Sequence, residues 1–140
     1  MDKRTMFEIL SLAKETELSP IADRMTAKYK VQLIKEPHKT LVMLKARESV
    51  KNSLFYLGET LATECMVAFE NTKGYALVLG DDFKKATSIA VIDGAFNAGV
   101  SEKDEIIDLL LSLQQEQKRK NEAQNAKILT SKVSFDVMEV

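Results

Sequence analysis

The chain has 140 residues, of which 45% are hydrophobic and 29% charged, a balance typical of one globular domain. Its 20 basic and 21 acidic side chains leave a formal charge of -1, which predicts no strong attraction to nucleic acid or to anionic lipid. A single cysteine, Cys65, excludes an internal disulfide and a metal cage built from several thiolates of this chain.

Two helices are predicted at the N-terminus. In residues 5–17 apolar side chains recur at intervals of three and four, as on one face of a helix. Ser19 and Pro20 then have the pattern of an N-cap followed by proline at the first helical position. We expect this second helix to end near Tyr29 and the two helices to form a plain hairpin.

After Lys30 the apolar residues take the period of strands, with a turn predicted at 36–39 and another at 71–74. The predicted strands and apolar segments are 31–33, 40–46, 53–57, 61–69 and 75–79. Because parallel neighbours need crossover connections of about a dozen residues, these short turns favour an antiparallel meander.

Further helices are predicted after the sheet. Asp81 and Asp82 can cap a helix that runs from Phe83 to about residue 97, because their carboxylates meet its free N–H groups, and Gly99 can stop it. Another helix is predicted after Ser101, with an apolar first half and a polar second half.

Residues 132–140 alternate between polar and apolar, which predicts a terminal strand that pairs at a free sheet edge or with another chain. The predicted fold is therefore one α+β domain over residues 1–140. It consists of an antiparallel meander sheet with an N-terminal helical hairpin and with C-terminal helices packed on it.

The residues that could carry chemistry are few. His38, the only histidine, stands in a predicted turn beside a proline, which favours an exposed loop residue over a catalytic base. Cys65 lies on the apolar face of a strand, which favours a small buried side chain over a reactive thiol. The glycines match neither a phosphate-binding loop nor a dinucleotide motif, and no Cys/His cluster has metal-ligand spacing. The sequence predicts no metal site, and the catalytic residues stay unknown.

Several short segments stand in an order that is similar to a known family. They are TLVMLKAR at 40–47, FYLGE at 55–59, GYA at 74–76, GDD at 80–82, IDGA at 92–95 and TSKVSF at 130–135. On these residues the chain resembles the G subunit of the carbon-phosphorus lyase system, the PhnG family. The family-motif positions are Gly58, Gly74, Tyr75, Gly80, Asp82, Asp93, Ser131, Val133 and Phe135.

The resemblance implies a subunit of an enzyme complex in phosphonate catabolism for phosphorus supply. That complex transfers a phosphonate to C1 of the ribose of ATP and releases adenine, as an alpha-D-ribose 1-methylphosphonate 5-triphosphate synthase. The implied partners are the I subunit above all, the H subunit, the radical-enzyme J subunit and the ATPase-like L protein. ATP is then a substrate of the complex, this chain holds no cofactor, and the isolated chain is inactive.

Two other functions stay open at this point. One is a stand-alone small α+β enzyme acting on phosphorylated compounds, and the other is a regulator that binds DNA through the helical hairpin, against which the charge balance argues. No run of about eighteen apolar residues can span a bilayer, and the N-terminus lacks the apolar region of a secretory signal. We expect a cytoplasmic protein without membrane or nucleic-acid partners.

Overall fold

A computed structural model describes the backbone of residues 1–47, 50–51 and 53–139, and their side chains except those of residues 46–47, 55 and 126–139. The chain falls into two compact units, one made of Met1–Leu12 with Asp104–Val140 and the other of Ala13–Lys103. The single domain over residues 1–140 stays a prediction.

The predicted α+β class is confirmed: two N-terminal helices are followed by an antiparallel sheet and two further helices. The elements in chain order are α1 Lys3–Leu12, α2 Glu15–Lys28, β1 Val31–Arg47, β2 Leu54–Phe69, β3 Thr72–Leu79, α3 Phe83–Ala98 and α4 Lys103–Glu139. None of the described helices is long and apolar enough to cross a membrane.

The sheet has the strand order β1-β2-β3, and both pairs are antiparallel. β3 pairs only with the C-terminal half of β2, since its last residue, Leu79, lies opposite Ala62. Beyond that row β1 and β2 continue as two strands alone, and residues 41–47 with 54–61 are called the ribbon below. Among the described residues, the ribbon therefore has no third strand beside it.

The core of the larger unit lies between one face of the sheet and α3. On β2 the alternating residues Cys65, Val67 and Phe69 are fully buried, as their spacing on one face predicts. α3 is apolar around most of its circumference and contacts β2, β3 and α2, as expected for a helix enclosed on several sides. In the smaller unit, the Gln117 side-chain amide of α4 donates a hydrogen bond of 3.1 Å to the Ile9 carbonyl of α1.

The predicted turn at 36–39 is wrong, because β1 continues through it. The register of β1 against β2 shifts between Leu33 and Lys35 and again between Lys35 and His38. Pro37 has no N–H to donate, and such a residue is tolerated in an edge strand at a bulge. The sequence signal of a turn therefore marks an irregular stretch within one long strand.

Two helix boundaries also differ from the predictions. The first helix ends at Leu12, and α2 begins at Glu15 with Pro20 inside it. The Glu17 carboxylate accepts a hydrogen bond of 3.1 Å from the Lys14 N–H, which fixes the helix start upstream of Ser19. The missing N–H of Pro20 then costs one hydrogen bond within α2.

The predicted terminal strand at 132–140 is wrong, because α4 extends to Glu139. The sequence after Gly99 contains neither glycine nor proline and is rich in Leu, Glu, Lys and Gln. These residues favour helix, and a helix already formed extends at little cost. The alternation of residues 132–140 is therefore outweighed by propagation from the preceding turns.

Candidate functional site

Two family-motif segments meet where β3 packs against α3. At Gly74 a Cβ atom would lie 1.9 Å from the Ala90 carbonyl oxygen and 2.5 Å from the Gly94 nitrogen. At Gly94 a Cβ would lie 2.7 Å from the Cβ of Phe69. The strand and the helix thus approach each other through two glycines, and the contact at Gly74 is with backbone atoms that no rotamer change can move.

Asp93 and Asn97 of α3 close part of the outer edge of β3. The Tyr75 N–H donates a hydrogen bond of 3.0 Å to Asp93 Oδ2, and Asn97 Nδ2 donates one of 2.8 Å to the Lys73 carbonyl. Asp93 is only 4% exposed. The two side chains bind the backbone groups that a fourth strand would otherwise use. The motif residue Asp93 therefore acts as an acceptor inside the fold.

A second pair of motif residues, Gly80 and Asp82, lies at the other end of β3. Thr63 Oγ1 donates to the Gly80 carbonyl at 2.8 Å and accepts from the Asp82 N–H at 3.2 Å. Gly80 has a φ of 93°, which favours glycine. Asp82 Oδ1 accepts from the Lys85 N–H at 3.0 Å, so the predicted N-cap of α3 is confirmed, and Gly99 ends that helix in the left-handed region as predicted.

Replacement of Asp82 by alanine should lower the free energy of unfolding by about 1 kcal/mol, because the first turn of α3 loses its side-chain acceptor. Asp81→Ala is the control: that carboxylate lies 3.2 Å from Lys39 Nζ, and both side chains are about half exposed, so its loss should cost less than about 0.5 kcal/mol. Urea denaturation of the three proteins measures both changes. Equal effects of the two substitutions would contradict the capping role.

The other motif positions lie apart from these two clusters. Gly58 lies in the ribbon opposite Leu44, with a φ of 152°, and a Cβ there would meet no atom within 4 Å. Ser131, Val133 and Phe135 have their backbone in α4, in the other unit. Their side chains lie outside the described residues. The structure thus brings together Gly74, Tyr75 and Asp93, and separately Gly80 and Asp82.

The sheet face opposite α3 carries a polar group of residues that the sequence analysis missed. Glu64 of β2 accepts a hydrogen bond of 2.7 Å from Tyr75 Oη and lies 3.1 Å from His38 Nε2 and 3.8 Å from Lys35 Nζ. We call these four residues the Glu64 cluster. His38 is only partly exposed, with a side chain 44% exposed, and it lies not in the predicted turn but in a strand, where it faces Glu64. The alternation of side chains along β1 could have placed Lys35 and His38 on one face of the sheet, but only with the bulge at Pro37 taken into account.

Hydrogen bonding sets the protonation of Glu64 and Tyr75. The bond from Tyr75 is the main cause that lowers the pKa of Glu64, and Lys35 and His38 add to it. The same bond, with burial, raises the pKa of Tyr75 to about 12. At neutral pH Glu64 is therefore ionised and Tyr75 protonated. The pKa of each group lies far from 7, which does not favour either one as a general acid or base.

Replacement of Tyr75 by phenylalanine should raise the pKa of Glu64 toward its usual value of 4.5. A lowered carboxyl pKa stabilises the fold fully above the unfolded value and loses that contribution as the pH falls through the folded value. The stability lost in Tyr75→Phe should therefore be largest above pH 4.5 and shrink at lower pH. Carboxyl NMR titration and denaturation at several pH values measure this, and an unchanged Glu64 pKa would contradict the assignment.

A groove of about 640 Å³ lies between α2 and α3. Its polar lining includes Asp23, Lys84 and Ser88. Cys65 lies elsewhere, fully buried as predicted, and burial raises the pKa of its thiol. Across the described part of the chain no group of three or more His, Cys, Asp or Glu side chains could hold a metal ion.

The comparison with known families decides the assignment. The family of phosphonate metabolism protein PhnG matches residues 1–139. The chain belongs to the PhnG family. The resemblance noted in the sequence is thereby confirmed, and it gives the protein a role in phosphonate metabolism as a member of an enzymatic complex. A search of curated proteins finds no match. In this PhnG-family chain Gly74 allows the close packing of β3 on α3, Asp82 caps α3 and Asp93 closes part of the edge of β3.

Proposed function

We propose that this PhnG-family chain is an accessory subunit of the complex that transfers a phosphonate to C1 of the ribose of ATP and releases adenine. The observation that carries the proposal is the use of the motif carboxylates within the fold. Asp93 binds the Tyr75 N–H, and Asp82 caps α3. Carboxylates engaged in this way stabilise the subunit, and the transfer chemistry belongs to its partners.

The exposed apolar side chains of the ribbon support a role in assembly. Leu41, Leu57 and Leu61 are 64%, 60% and 39% exposed, and Leu54 is 56% exposed. A two-stranded ribbon without a third strand is marginally stable in water, and contiguous exposed apolar surface marks protein interaction sites. The ribbon therefore suits a surface that another subunit covers.

Membership of the PhnG family supports the proposed partners. The I subunit is the main partner, and the H subunit, the radical-enzyme J subunit and the ATPase-like L protein belong to the same system. ATP is a substrate of the complex, and this chain contributes no cofactor. The complex works in the cytoplasm.

Co-expression tests the proposed assembly. The chain is expressed with an affinity-tagged I subunit, and the eluate is analysed by size-exclusion chromatography with light scattering. We expect one complex that contains both proteins at a fixed ratio. Separate elution of the two proteins, with each one folded by circular dichroism, would contradict the proposed function.

A further inference from the structure

The outer edge of β1 has one blocked half and one regular half. Before His38, β1 contains Pro37 and two register shifts against β2, features that prevent a neighbouring strand from pairing. From His38 opposite Glu64 to Leu44 opposite Gly58 the register against β2 is unbroken. Among the described residues no strand pairs with the other side of β1, because the order is β1-β2-β3.

The backbone groups of Leu41 and Met43 point to that open edge. The Leu61 carbonyl accepts a hydrogen bond of 2.8 Å from the Gly80 N–H, on the β3 side of β2. Leu61 therefore forms a non-hydrogen-bonded pair with its β1 partner, Leu41. The N–H and C=O of Leu41 face away from β2, and those of Met43, two residues on, face the same way.

The two edges of the sheet differ in whether side chains bind their outward backbone groups. On β3, Asp93 and Asn97 occupy the outward groups of Tyr75 and Lys73. On β1, no hydrogen bond from a described side chain reaches the outward groups of Leu41 and Met43, whose side chains are 64% and 56% exposed. This edge is open, apolar and regular, which is the combination that accepts an added strand.

The charges of the edge indicate what kind of strand it accepts. Residues 39–47 contain three basic residues and no acidic one, although Lys39 also lies 3.2 Å from Asp81. In a second copy paired antiparallel so that Leu41 faces Met43, Lys39 would lie opposite Lys45. Like charges placed directly opposite each other destabilise a strand pair, and opposite charges stabilise it.

We propose that residues 40–45 pair with an extended strand of the I subunit, and that this strand has an apolar centre flanked by acidic side chains. The inference rests on the proposed function for the identity of the protein that supplies the strand. The added strand gives the ribbon its third strand and covers the outward groups of Leu41 and Met43.

Met43→Pro tests the pairing, with Met43→Ala as its matched control. Proline removes the outward N–H of residue 43 and places a ring in the path of the added strand, yet it breaks no bond between β1 and β2. Alanine shortens the side chain in the same way but keeps the N–H. We expect the proline variant to bind the I subunit at least about tenfold more weakly than the alanine variant, by calorimetry.

Two further measurements do not depend on how well the proline variant folds. Hydrogen exchange at the amides of Leu41 and Met43 should slow when the partner binds, because these N–H groups then donate to the added strand. Lys45→Glu should weaken binding severalfold at low salt, because it opposes the acidic flank. Unchanged exchange at both amides overturns the pairing, as does equal affinity of Met43→Pro and Met43→Ala.

The remaining outcomes separate this inference from the proposed function. If the wild-type chain binds none of the other subunits, the proposed function fails, and the named partner fails with it. If the wild type binds but neither edge variant is weakened, only the pairing fails. If the isolated chain dimerises in sedimentation and Met43→Pro abolishes the dimer, the edge pairs with a second copy, and the partner strand proposed here is wrong.

Discussion

Replacement of Gly74 by alanine should lower the free energy of unfolding by about 3 kcal/mol, the upper end for an overpacked core site. The added Cβ would lie 1.9 Å from the Ala90 carbonyl oxygen and 2.5 Å from the Gly94 nitrogen. Both atoms belong to the backbone of α3, so relief requires the helix to move away from β3. The buried side chains between the sheet and α3 then lose contacts.

Urea denaturation followed by circular dichroism measures this change. The neighbouring Lys73→Ala is the control, because its carbonyl bond to Asn97 stays intact and a solvent-facing substitution should change stability by no more than about 0.5 kcal/mol. If Gly74→Ala is as stable as the wild type, β3 and α3 do not approach each other as closely as described.

Replacement of Asp93 by alanine should lower the free energy of unfolding by about 2 to 3 kcal/mol. The Tyr75 N–H loses its charged acceptor, and a hydrogen bond to a charged group contributes about 1.5 to 3 kcal/mol. The edge of β3 at Tyr75 also becomes open to unwanted pairing. Asn97→Ala removes the bond to the Lys73 carbonyl and a long contact of 3.5 Å to Asp93 Oδ2 but leaves the Tyr75 N–H its acceptor, so its cost should be near 1 kcal/mol.

The same variant separates a structural role from a catalytic one. A complex assembled with Asp93→Ala should release adenine at the wild-type rate per assembled complex at a temperature where the variant is folded. Its thermal unfolding midpoint should be lower, as the lost bond requires. Wild-type stability together with lost activity would instead assign Asp93 to the reacting groups.

The parts of the fold that could be predicted depend on residues close together in sequence. Asp82 and Gly99 mark the two ends of α3 because capping uses groups within one turn of each end. Alternation placed Cys65 and Val67 on one buried face of β2 for the same reason. Capping and alternation depend on a few consecutive residues, so they can be predicted without knowing which distant residues are in contact.

The missed features depend on partners that are distant in sequence. The pairing of β1 with β2 carries the chain through Pro37, where local signals indicate a turn. The terminal alternation at 132–140 gives way to helix propagation from α4. The Glu64 cluster joins residues from all three strands, so its recognition requires the register of the sheet. The motif glycine Gly74 was expected in a turn and instead serves a close approach to α3.

The two edges of the sheet agree with a subunit that assembles with partner proteins. Asp93 closes the edge of β3 at Tyr75, whereas in the described part of the chain no strand covers the edge of β1 at Leu41 and Met43. One sheet edge is closed and the other is apolar and regular, so strand pairing is restricted to the edge of β1. Complex formation through the edge of β1 agrees with the use of Asp82 and Asp93 inside the fold.

Adenine release by reconstituted proteins is the measurement to make first. The I, H and L proteins are incubated with ATP and methylphosphonate, with and without this chain, and free adenine is quantified by chromatography. We expect release only when the chain is present and none from the chain alone. Equal release without the chain would contradict its role as a required subunit, and release by the purified chain alone would identify a stand-alone enzyme.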